Sequence, residues 1–484
     1  MIVLLQVGAE LLVGRNYALA LVVVTPLALL MVHVVAPTPA GTLLWDRGLE
    51  TLIGVVIGLG VGYLTRRRLP GAGCGRHVRV SDATAARLDR DDPLAKYRDR
   101  FVSAESPLVY FDGNSLGRPL RGTGERLARF VDEEWGARLI RGWDERWFDL
   151  PLAIGDELAR ITMGAGPGQT TVGDSTTALL YKAMRAALAA RPDRSEIVLD
   201  RDNFPTDRYL AQGIAEECGV RLRWVEVDTA GGVTAEQLAE AVGPDTALVL
   251  LSHVAYRSAW LADMAELTRL AHDAGALVLW DLSHSVGSVP IQLDACEVDL
   301  AVGCSYKYLN GGPGSPAFVY VAARHLEQLT QPVQGWMGAA NPFLMGPDYA
   351  PAEGIRRFLS GTPPIVGMLA MQDMLALIDE VGMPAVREKS VALTEYAVEV
   401  AQELLAPVGV VLASPRDPDL RGGHVTLNHP LMREATAALW QRDVIPDYRD
   451  PHGLRLGLSP LSTSYDEVRR GVEAVREVLD GLSG

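Results

Sequence analysis

From Val80 onward, short apolar runs alternate with helix-length stretches of mixed polarity. The runs Ile197–Leu199, Leu222–Val227, Ala247–Leu251, Ala276–Trp280 and Leu300–Val302 have the length and apolar character of strands buried on both faces. Between them, Ala178–Ala190, Ala235–Val242 and Met264–Ala274 read as helices. This alternation predicts an α/β domain with a mainly parallel sheet. Ligands of such sheets sit beyond the carboxyl ends of the strands, so the residues after each strand carry the information. Past about residue 365 the pattern becomes a long helical region, then short strands around His424–Asn428 and Leu454–Leu458. The pattern predicts an N-terminal arm over 80–138 that helps cover the site, a large domain over 139–362 and a smaller α+β domain over 363–484.

The first seventy residues follow another rule. No formal charge lies between Arg15 and Asp46, and Tyr17–Ala36 supplies about 20 mostly apolar positions, enough to cross ~30 Å of hydrocarbon. A second uncharged stretch, Thr51–Thr65, carries Gly54, Gly58 and Gly62 at four-residue spacing, and Arg66–Arg68 follow at once. Small residues at that spacing let helices approach closely, and a basic cluster marks a cytoplasmic end. The expectation is a transmembrane helical hairpin over 1–68, membrane association through residues 17–65, and a Gly/Arg-rich linker over 69–79. Buried soluble helices are the ordinary alternative, and a fusion remnant or a mis-assigned start would also account for the segment.

Composition narrows the function. The 484 residues have room for two or three domains. A net charge of -15 without a long basic run argues against a nucleic-acid partner, which needs a clustered cationic face. Cys74, Cys218, Cys296 and Cys304 form no CxxC pair and have no histidine at metal spacing, so neither a zinc site nor a disulfide framework is expected. Such cysteine usage fits a reducing cytoplasm, with the catalytic part tethered to the inner face of the plasma membrane.

The strand ends carry the chemistry. Ala276–Trp280 runs into Asp281, with His284 three residues on; Leu300–Val302 leads through Tyr306 to Lys307 and a glycine-rich turn. A carboxylate and a lysine at neighbouring strand ends suit pyridoxal phosphate (PLP), the one keeping the ring nitrogen protonated, the other linking to the aldehyde. Read singly, Asp281 is as easily a helix cap, Lys307 a surface charge and His284 a loop histidine. Ser175, Thr176 and Thr177 precede a helix and could hold a phosphate or merely cap it. The same stretch mimics a nucleotide P-loop, but Asp174 stands where the lysine is required. After Ile197–Leu199 come Phe204, Thr206 and Asp207, where a ring could stack on the cofactor and a carboxylate bond it; a plain turn is the alternative.

Four motifs, "YFDGNSLGRPL" (110–120), "FPTD" (204–207), "WDLSHSVGSVP" (280–290) and "GCSYKYLNGGPGSPAF" (303–318), give the chain over about 80–480 a resemblance to the kynureninase family. The resemblance implies a PLP-dependent enzyme of fold type I, a homodimer with a shared active site, that cleaves L-kynurenine to anthranilate and alanine in tryptophan breakdown. It implies Lys307 as the covalent lysine and Asp281 as partner of the ring nitrogen. Ser175, Thr176, Phe204, Thr206, Asp207, His284 and Tyr306 would complete the pocket. Trp336 in "GWMG" and Thr362 in "SGTPP" would reach the phosphate of the neighbouring subunit. Arg455 in "HGLRLGLSPL" would clamp the substrate α-carboxylate, and Ser115 and Trp143 would line its aromatic end. Residues 1–68 resemble the last membrane helices of fusaric-acid-resistance-type exporters, carried by "ELLVGRNYALALVVVTPLALLM" (10–31).

The chain departs from the family pattern in "HVAYRSAWLADM", where Ala255 and Ala259 replace an expected Asn and Gly while Tyr256 and Arg257 remain. Thr362 and Trp143 match the bacterial form, which implies kynurenine ahead of 3-hydroxykynurenine. The rivals are a cysteine desulfurase or an aminotransferase of the same fold, which would also use Asp281 and Lys307, and a non-catalytic membrane accessory. The desulfurase needs a late nucleophilic cysteine, and none follows Cys304; the accessory is at odds with the intact Asp281, His284, Lys307 and Arg455.

Overall fold

The computed structural model describes residues 82–102 and 106–483, so the hairpin and linker expected before residue 80 lie outside the described residues. Among the described residues, no helix is long and apolar enough to cross a membrane.

A seven-stranded sheet forms the centre. Its strands are β1 (Thr170–Gly173), β2 (Glu196–Asp200), β3 (Arg221–Val225), β4 (Thr246–Ser252), β5 (Leu277–Asp281), β6 (Leu300–Cys304) and β7 (Ala317–Val321). The order is β1-β7-β6-β5-β4-β2-β3. Pairings from β3 to β6 are parallel, while β7 runs antiparallel to both β6 and β1. The five parallel strands fall on the runs read from the sequence, but β3, at the sheet edge, is not buried on both faces as expected: Arg221 and Arg223 are exposed.

Alternating side chains feed two cores, as the period of two requires. Ile197, Leu199, Leu248, Leu250, Leu277 and Leu279 pack under helices α1 (Thr176–Ala189) and α2 (Pro205–Cys218). Val198, Val249, Leu251, Val278 and Trp280 face the other layer, with α4 (Met264–Asp273) and α5 (Ile365–Val381); α3 (Ala235–Ala241) lies between α2 and α4 in the chain. The buried Trp280 indole donates to Thr268 Oγ1 at 3.1 Å, so the core leaves that group satisfied. Local chemistry starts the helices: Ser175 caps α1, and Thr234 with Gln237 forms a reciprocal capping box for α3.

The helix α6 (Met383–Leu404) leads into a second, antiparallel sheet. Its strands β8 (Val411–Leu412), β9 (His424–Asn428), β10 (Asp447–Arg449) and β11 (Gly453–Gly457) lie in the order β10-β11-β9-β8. It packs with α7 (Met432–Trp440) and α8 (Tyr465–Ser483) around Val425, Leu427, Leu454, Leu456, Val472 and Val475. The expected arm contains helices Asp82–Asp91 and Arg121–Arg129, then π-helical turns at Phe130–Gly136 and Trp143–Trp147. Its "GNSLG" turn is anchored at both ends: Tyr110 pairs beside Ile445, and the Gly117 amide donates to the Tyr306 carbonyl at 2.8 Å.

Candidate active site

Strand register brings the chemistry-bearing residues together. Asp281, the last residue of β5, stands opposite Val302 of β6, so the turn that follows β6 delivers Lys307 to the same end of the sheet. There, Asp281, Lys307, Tyr306, Phe204, Thr206, Asp207, Ser175 and Thr176 line one cavity of about 300 Å³. Thr177, Ser283 and Gly314 complete much of its wall.

Lys307 is buried, with Nζ 2.9 Å from His284 Nε2 and 5.5 Å from the centre of the Phe204 ring. Burial holds the His284 imidazole well below its usual range, and the positive charges of Lys307 and Arg455 add to this. A neutral His284 accepts from the lysine ammonium through Nε2. His284 does not line the cavity; it contacts Lys307, and its ring lies 5.6 Å from that of His424. Burial drives the Asp207 carboxyl well above the carboxylate range, reinforced by Asp281 and Asp200 and opposed by Lys307. Asp281 accepts the Ser283 amide at 2.8 Å. Burial likewise raises the Tyr306 phenol, with Cys304 and Asp281 adding to it.

These residues fit PLP. Asp207 Oδ2 is fully buried with no protein partner, and a buried polar atom of this kind calls for a ligand group to bond. Ser175 caps α1 through the Ala178 amide at 3.3 Å, leaving the first amides of the helix directed toward an anion. One cavity thus gathers hydroxyl and amide donors for an anion, two carboxyls and a lysine.

The remaining expected residues lie around this centre. Arg455, on β11, is fully buried and donates to Asp447, to the Tyr256 carbonyl at 2.6 Å and to Ser115 Oγ at 3.2 Å. Ser115 and Arg455 therefore meet. Trp143 lines a separate aromatic cavity of about 270 Å³ with Phe130, Trp135, Trp147, Pro363 and Pro364. Trp336 and Thr362 are both exposed and outside the main cavity. The amide of Met337, next to Trp336, donates to the carbonyl of Ser360 at 3.0 Å, which brings the two segments together.

The sequence reading missed Asp447, Asp112 and Ser283, and undervalued Asp174. Far from being a defective P-loop position, Asp174 accepts from the buried Lys182 and from Ser360 Oγ at 3.1 Å, tying the start of α1 to the 358–362 segment. Ala259 has φ +64°, a conformation in which glycine is unstrained and alanine is not. That explains why glycine was the expected residue there. Cys218, Cys296 and Cys304 are free thiols, and the described residues contain no cluster suited to a metal ion.

Fold and site define a PLP-dependent enzyme of the class V aminotransferase fold, and the family model described as aminotransferase class-V matches residues 170–438. Kynureninase of Burkholderia pseudomallei (strain 1106a) is 42% identical over 403 residues, covering 82% of this chain and 95% of that protein. Kynureninase of Pseudomonas fluorescens is 41% identical over 401 residues, covering 81% and 94%. The chain belongs to the kynureninase family. Among solved structures, an apo cysteine desulfurase from Thermococcus onnurineus NA1 superposes with a TM-score of 0.68 at 18% identity, covering 80% of this chain and 98% of that one. A cysteine desulfurase from Escherichia coli gives 0.69 at 15%, covering 80% and 98%. Those two likenesses concern the fold alone. A second model, fusaric acid resistance protein-like, matches residues 1–61.

Proposed function

We propose that this chain hydrolyses the Cβ–Cγ bond of L-kynurenine, releasing anthranilate and L-alanine. The observation that carries the reading is the joint placement of Lys307, Asp281 and Asp207 in one cavity of a chain 42% identical to a kynureninase.

Bound PLP supplies an electron sink for the substrate α-carbon. Lys307 anchors the cofactor, then removes and returns protons at that carbon; neutral His284 accepts from its ammonium and keeps Nζ aimed into the cavity. Asp281 would pair with the ring nitrogen. Asp207, whose carboxyl burial drives above the carboxylate range, would bond an oxygen of the ring. Phe204 would cover the ring, and Ser175, Thr176, Thr206 and Tyr306 would complete the cofactor's seat. Arg455 receives the substrate α-carboxylate beside Ser115, and Trp143, in its separate aromatic cavity, stays outside this step. Water adds to the γ-carbonyl, its oxygen leaves in the anthranilate carboxylate, and a proton delivered to Cβ completes alanine.

The shared site of a homodimer belongs to the same proposal, supported by the exposure of Trp336 and Thr362 away from their own chain's cavity. So do the division into arm (80–138), large (139–362) and small (363–484) domains and the preference for kynurenine over its 3-hydroxy form, for which Trp143 and Thr362 argue. Tethering through residues 17–65 is supported by their apolar pattern and by the match of residues 1–61 to the exporter-like model. Lys307→Ala is expected to give a folded protein that binds PLP non-covalently and forms no anthranilate. Normal turnover by that variant would overturn the proposal.

A further inference from the structure

Arg455 has five N–H donors in a fixed plane, and the structure assigns most of them before any substrate arrives. Nε and Nη2 both donate to Asp447 Oδ2, the former at 2.7 Å. Nη1 donates to the Tyr256 carbonyl, and the outer hydrogen of Nη2 to Ser115 Oγ. One Nη1 hydrogen and the weak, 3.2 Å Ser115 contact are what remain for an incoming carboxylate.

The Asp447 contact is built into the small sheet. Asp447 on β10 stands directly opposite Arg455 on β11 in antiparallel register. The side chains are 14% and 1% exposed, so the pair meets with little solvent screening. Arg449 braces Asp447 from the same strand at 3.0 Å. A second carboxylate, Asp112, lies near enough to feel the Arg455 charge, but it bonds Ser115. The guanidinium thus has two acidic neighbours, and Asp447 is the one that holds its edge.

We propose that Asp447 is the positioning residue that makes Arg455 a carboxylate receptor. By occupying the Nε/Nη2 edge, Asp447 turns the terminal Nη1/Nη2 edge toward the substrate. The α-carboxylate then docks on that edge and displaces the Ser115 hydroxyl. Without Asp447 the guanidinium turns toward Asp112, and the receptor edge is misdirected. This inference rests on the kynurenine reading above.

The test uses the full-length, PLP-loaded chain as wild type, Asp447→Asn and Asp447→Glu. It measures anthranilate formation from L-kynurenine and inhibition by decarboxylated kynurenine, which lacks the group Arg455 receives. Asp447→Asn is expected to raise KM about tenfold to a hundredfold, the scale of a charge-assisted hydrogen bond, with kcat changed less than about threefold. Inhibition by the decarboxylated analogue is expected to stay within about twofold, because only carboxylate recognition is lost. Asp447→Glu, which keeps the charge, is expected to restore part of the KM. An unchanged KM in Asp447→Asn, or an equal loss of affinity for the analogue, would overturn the inference. Should Asp447→Asn fail to load PLP, Asp447→Glu decides by the same split: a raised KM with an unchanged analogue constant supports the inference, and equal losses overturn it. A loaded wild type that forms no anthranilate would instead overturn the kynurenine reading itself.

Discussion

One of the buried ion pairs that hold the arm carrying Ser115 joins Arg118 to Glu467, and removing half of it has a calculable cost. Arg118 Nη2 lies 2.6 Å from Glu467 Oε1, with side-chain exposures of 9% and 6%. The same oxygen accepts the Tyr110 amide at 2.7 Å, and the Arg118 carbonyl accepts from Asn310, three residues past Lys307. Glu467→Leu keeps the volume but strands a guanidinium charge, a loss of about 3–5 kcal/mol. At about 2 cal/mol/K per residue over roughly 400 residues, that lowers Tm by about 4–6 °C. Arg118→Met combined with Glu467→Leu removes both charges and is expected to recover more than half of the loss. Thermal melts of the loaded full chain, read by near-UV circular dichroism, measure both shifts. A single-variant shift under about 1 °C, or a double variant no more stable than the single, would refute the reasoning.

Two carboxyls make opposite predictions for pH. Burial, opposed by a Ser115 hydrogen bond, pushes Asp112 up to about 6. The folded protein therefore binds the extra proton between pH ~4 and ~6, and this group's contribution falls by about 3 kcal/mol as pH rises through that window. Asp112→Asn is expected to flatten the wild-type slope in urea midpoints from pH 4.5 to 7; parallel curves would contradict this. Asp299 is pushed up by burial, but hydrogen bonds from His272, His325 and the Val278 amide together bring it below the usual carboxylate range. Its contribution is present above the ordinary carboxylate pKa of about 4 and is lost on further acidification. Asp299→Asn should cost stability at pH 7, and the gap to wild type should close below pH ~4; a gap independent of pH would contradict the assignment.

What could be read from sequence follows from what packs locally. Strands β2 and β4 to β6 announce themselves because a strand buried on both faces is mostly apolar, and Asp281, Lys307 and Asp207 could be placed because each lies within a few residues of such a strand. The edge strand β1, Thr170-Thr171-Val172-Gly173, carries no such signal; its burial comes from pairing with β7, some 145 residues later. The π-helical turns that set Trp143 against Trp147 at 5.6 Å depend on tertiary packing rather than on propensity. Asp447 was missed for a similar reason. Its role follows from cross-strand register with Arg455, and the intervening turn of "DYRDPHGLRLG" does not specify that register to a reader of the sequence.

The central claim is hydrolysis of the Cβ–Cγ bond. Its most direct test is turnover of L-kynurenine by the PLP-loaded full chain in water enriched in heavy oxygen, with both products analysed by mass spectrometry. The account predicts equimolar anthranilate and alanine, with one solvent oxygen in each anthranilate carboxylate and none gained by alanine through the cleavage. Retained PLP with no anthranilate, or a keto acid in place of alanine, would contradict it.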